Sequence, residues 1–139
     1  MEPSHFGQIN IVLGWTWMLL GITSGSILGF WSFGGPMKLP RGFEDYASLP
    51  RRMTRLAHIA FFALPMISIL YGHSIDSIDV SDQLKLIGSY SFLVCMVGVP
   101  VFLLMASYYL PFKYLEVVPV SAGFVGLGIM AWGQLKHFF

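Results

Sequence analysis

Between Glu2 and Lys38 the chain carries no Asp, Glu, Lys or Arg. A bilayer crossing takes about 20 apolar residues. This stretch therefore reads as one transmembrane helix over about 9–33, with length to spare for tilt. Three more apolar runs follow, over about 56–73, 86–110 and 114–135. Of the 139 residues 55% are hydrophobic and only 11% charged, against about 25% charged in soluble domains. A soluble fold of this size could not hide so much apolar surface, so lipid must be the solvent for most of it. The expected fold is an all-α membrane protein of one domain (1–139), an antiparallel up-down bundle of four transmembrane helices.

Composition also excludes several roles. A net charge of +1 leaves no basic footprint for nucleic acid. The single cysteine, Cys95, rules out an intrachain disulfide and a CxxC redox or zinc site. The N-terminus MEPSHFGQ has no basic region ahead of a short apolar core, so the first helix is expected to act as its own targeting signal. The loop after it holds Lys38, Arg41, Arg51, Arg52 and Arg55 against Glu44 and Asp45, whereas the opposite face has only Lys85 and Lys136 as strong bases. The positive-inside rule then puts this loop in the cytoplasm of a bacterial inner membrane and both termini on the periplasmic side. No carboxylate is embedded at mid-membrane depth in any span, Glu116 standing at the start of the fourth, which argues against a cation-coupled carrier; a small transporter is the third functional reading.

Two features suggest close helix packing. Gly21, Gly25 and Gly29 fall four apart and Gly14 a further seven back, so one face of the first helix is nearly free of side chains. Gly123, Gly126, Gly128 and Gly133 do the same for the fourth helix. Either face can receive a helix of this chain or of another membrane subunit. Pro65 and Pro100 sit in mid-helix, where each removes a backbone donor. Ser81 or Asp82 can cap the third helix.

Chemistry concentrates in RRMTRLAHIAFFALPMISILYGH, residues 51–73. Arg51, Arg55 and His58 share one helix face, with the imidazole one turn deeper than the guanidinium groups. Two readings fit. His58 is an axial ligand of a b-type haem with Arg51 and Arg55 on its propionates, or it is a neutral histidine bonded to a serine or carbonyl on a facing helix. His5, His73 and His137 gather at the periplasmic face as candidate metal ligands. His58 and His73 stand about 22 Å apart along one helix, so they cannot serve one site.

With HFGQINIVLGW at the start, GxxxGxxxG in the first helix, RRMTRLAHIAFFALP opening the second and PFKYLEVVPV before the fourth, the chain resembles a group of small four-helix bacterial inner-membrane proteins. More loosely, a histidine at each end of the second helix looks like the four-helix proteins linked to haem-copper oxidase assembly. The resemblance implies an association with the aerobic respiratory chain. The function expected first is a non-catalytic accessory, structural or assembly subunit of a membrane electron-transfer complex, held to other subunits through the glycine-faced helices. The alternative is a haem- or quinone-binding electron-transfer protein using His58.

Overall fold

The computed structural model describes residues 5–31 and 34–138, without the side chains of residues 5, 137 and 138. Regular structure among them is all helical: α1 (His5–Trp31), α2 (Leu49–Ser74), α3 (Asp82–Tyr108) and α4 (Val117–Phe138), with 3₁₀ turns at Ile75–Ser77 and Leu110–Tyr114. Four segments are long and apolar enough to cross a membrane.

The helix ends differ from the apolar runs for local reasons. α2 opens at Leu49, not near residue 56, because Pro50 falls in its first turn, where a fixed φ and a missing N–H suit a helix start. The arginines that follow are thus helical. α3 opens at Asp82, four residues before its apolar run, where Ser81 caps it by accepting the N–H of Leu84 at 3.4 Å. α4 opens at Val117, not at 114, since the chain after Tyr109 first makes the 3₁₀ turn that contains Pro111. Gly34, at φ 69°, supports the reversal after α1, and the N–H of Met37 reaches back to the carbonyl of Phe30.

α1 packs along α2, and α3 along α4, through glycine contacts. Along α1, Gly7 meets Gly72, Gly14 meets Ile69, Gly21 meets Phe61 and Gly25 meets His58. Between α3 and α4, Gly98 meets Pro119, Gly123 meets Cys95, and Gly126 meets Phe92. Backbone approach of this kind is how helices associate where no hydrophobic force separates them from lipid. Most of the glycine-bearing surface is thereby spent within the chain. Gly29 and Gly128 are the exceptions, each with open space where a side chain would stand.

The core lies between α2, α3 and α4. Tyr71 stacks on Phe92 with centroids 5.4 Å apart and planes 5° from parallel, and Ile75 and Ile78 close the cluster. Gly88 makes room for the end of the Tyr71 ring. Outward positions on all four helices are large and apolar, among them Leu19, Leu70, Val118 and Phe124. The exposed hydroxyls of Thr16, Thr23 and Ser26 each donate to the carbonyl four residues earlier in α1, so they need no water.

One polar cluster joins three helices. Asn10, the chain's only asparagine, is wholly buried with Ser68 and Ser89. Its Nδ2 donates to Ser68 Oγ at 3.3 Å, and its Oδ1 accepts from Ser89 Oγ. Ser68 Oγ donates to the Asn10 carbonyl, and Ser89 Oγ reaches the Phe6 carbonyl. Replacing Asn10 by leucine leaves both serines a backbone acceptor, so the expected loss is about 1–2 kcal/mol, the scale of a few interhelical hydrogen bonds in lipid. Reversible unfolding in mixed micelles checks this; a loss above about 4 kcal/mol would mean the serines are stranded.

Candidate functional site

His58 sits two turns inside α2 and half-buried against α1. Its ring lies over Gly25: a Cβ placed there would stand 2.7 Å from His58 Cε1. Any other residue at position 25 would displace the imidazole. Nδ1 lies 3.0 Å from Ser24 Oγ, and the Ser24 hydroxyl lies 2.9 Å from the Gly21 carbonyl, to which it donates. A hydroxyl has one proton. With that proton on the Gly21 carbonyl the Ser24 oxygen can accept from His58 Nδ1, and in that tautomer Nε2 carries the lone pair. The bond to a serine on a facing helix, one of the two readings of this histidine, is therefore present.

Three hollows meet at His58. The innermost, about 320 Å³, is walled by Ser24, Leu28 and Trp31 of α1, Thr54, Ala57 and Phe61 of α2, and Leu104 and Tyr108 of α3. Its walls are apolar and aromatic apart from His58, Ser24 and Thr54. A second lies toward Phe62 and Met66, and a third toward Arg51 and Arg55. Ligand pockets run from roughly 300 to 1,000 Å³. The innermost hollow thus has room for a ring headgroup.

The loop packs behind two of the lining residues, Trp31 and Tyr108. Phe43, 2% exposed, stands edge-on to Trp31 at 6.0 Å and leans on Tyr108 at 5.9 Å. Gly42, at φ 84°, turns the chain so that this ring points inward. Arg51 donates to the Phe43 carbonyl at 3.3 Å and Arg55 to the Tyr46 carbonyl at 3.1 Å. Both guanidinium groups lie over the Tyr46 ring, at 4.9 and 4.0 Å from its centroid, a cation–π arrangement. The arginines, expected near haem propionates, thus hold the loop against the helix ends. Phe43 escaped the sequence reading because a loop so rich in Gly and Pro reads as surface. The signal available was an aromatic residue directly after Gly42 and eight residues before an arginine.

The remaining candidates do not converge on this site. His73 is exposed at the end of α2. His5 opens α1 and His137 lies in the last turn of α4, but their side chains fall outside the described residues, so the proposed periplasmic trio is not described. Among the described residues no group of three or more His, Cys, Asp or Glu comes together to hold a metal ion. Gly14, Gly21 and Gly25 face α2, whereas Gly29 faces open space. No family model, curated protein sequence or solved structure matches the chain.

Proposed function

We propose that this chain is a four-span inner-membrane protein, an up-down bundle with the loop before α2 in the cytoplasm and both termini periplasmic, that binds the ring of a quinol at His58. It serves membrane electron transfer as a non-catalytic accessory subunit, presenting or storing the quinol for a larger respiratory-type complex. The single observation that carries this reading is His58, paired through Nδ1 with Ser24, in the wall of an apolar hollow of about 320 Å³; in the tautomer with its hydrogen on Nδ1, Nε2 is the acceptor for a ring hydroxyl. A hydroxyl-bearing ring offers the matching donor, whereas a quinone offers only acceptors. Trp31 and Phe61 supply aromatic walls for the ring, and an isoprenoid tail can leave between helices into lipid.

Anaerobic titration with decylubiquinol and decylubiquinone, read by quenching of Trp31 fluorescence, tests this. The quinol is expected to bind at least tenfold tighter, about 1.4 kcal/mol. His58→Leu should abolish the difference. Ser24→Ala should reduce it, because the imidazole is then free to change tautomer. Trp31→Phe should remove the signal without removing retention of the quinol on gel filtration. Equal affinity for both forms, or a Soret band in protein made with ample haem, would overturn the assignment.

A further inference from the structure

On the arginine side of His58 a second hollow of about 220 Å³ runs between α1 and α2, lined by Gly25, Leu28, Gly29, Tyr46, Arg51 and Arg55 besides the histidine. Its shape follows from the glycine stripe. At Gly21 and Gly25 the helices touch, but at Gly29, the next position of the same repeat, nothing of the protein stands within 4 Å of where a side chain would begin. The helices have parted there, and the groove floor is bare backbone beside Leu28.

The rim carries charge of one sign. Two guanidinium groups share the Tyr46 ring, and no carboxylate lines the groove. The nearest acidic residue in sequence, Asp45, accepts the N–H of Ala47 within its own turn. A guanidinium has five N–H donors, and the bond from Arg55 to the Tyr46 carbonyl uses one of them. Crowded cations at a membrane boundary attract anionic headgroups, and Arg suits phosphate in particular. Below the rim the groove is apolar and one turn of helix deep.

We propose that this groove holds one anionic phospholipid, with its phosphate on Arg55 within the field of Arg51 and an acyl chain laid along Leu28 and Gly29. The two halves of the groove distinguish this from a general basic surface. A free anion would use the rim alone, and a neutral lipid the floor alone. The groove shares His58 and Leu28 with the innermost hollow, but Arg51 and Arg55 line the groove alone, so lipid retention and quinol binding are read by different variants.

Native mass spectrometry of the full chain, released from micelles holding equal phosphatidylglycerol and phosphatidylcholine, tests the proposal. One phosphatidylglycerol is expected to be retained about tenfold over phosphatidylcholine. Arg55→Gln should bring that ratio near one. Gly29→Phe should do the same with no change of charge, by filling the floor; since position 29 faces open space, its thermal unfolding midpoint should match the parent. Equal retention of both lipids by the parent, an undiminished ratio in a folded Gly29→Phe, or displacement of the lipid by millimolar inorganic phosphate would each overturn it.

Discussion

Gly21→Leu is expected to lower stability by about 3 kcal/mol, at the upper end of overpacking costs, and to part α1 from α2. The first atom of any side chain at 21 would lie 2.9 Å from the carbonyl oxygen of Phe61. A main-chain atom in a helix cannot step aside as a side chain can, so the helices themselves must move. Ser24 and His58 then separate, since they sit on the two faces being pushed apart. Unfolding in mixed micelles measures the loss, and quinol retention follows it. The matched control is Gly29→Leu, in the same repeat and on the same helix, which is expected to be near neutral. A Gly21→Leu protein as stable as the parent would show that the α1–α2 contact does not set the packing.

Phe92→Ala is expected to cost about 3–5 kcal/mol. The ring is fully buried, lies flat on Tyr71, and its Cβ stands 3.0 Å from where a side chain at Gly126 would begin. Truncation therefore opens a cavity bounded by protein on three helices. The ring has no exposed surface, so the lost packing is not made up from outside. Phe92→Leu should recover more than half of the loss. A change below about 1 kcal/mol for alanine would mean that α4 collapses onto α3 to fill the space, which the close contact at Gly126 should prevent.

Some of the site was legible in the residues. The shared face of Arg51, Arg55 and His58 follows from helical spacing, and these three do line one hollow. What the arginines do there was not legible. A guanidinium one or two turns before a half-buried histidine suits a propionate, a headgroup or a loop carbonyl equally well, and the choice depends on where the loop returns. That return hangs on Gly42 and Phe43, whose inward turn no periodicity records, because a loop residue has no repeating face.

The partner of His58 was open for a similar reason. Ser24 lies far from it in sequence, and Thr16, Thr23 and Ser26 are equally polar members of α1. Only the rotation of α1 about its own axis selects Ser24, and that rotation is fixed by Gly14, Gly21 and Gly25 meeting α2. Asn10 was passed over because a single amide in a long apolar run carries no pattern. Its meaning comes from Ser68 and Ser89 on two other helices.

By itself, then, the sequence determined the helical class, the apolar spans and the shared face of Arg51, Arg55 and His58, since these depend on composition and on the fixed rise and turn of a helix. Tertiary structure alone decided which helix faces meet, where α1 and α2 part, and which serine pairs with His58. Those depend on the distances between chain segments remote in sequence. A glycine records only that something can come close; the neighbour that does so, Phe61 at Gly21, His58 at Gly25 and nothing at Gly29, is set by how the helices cross.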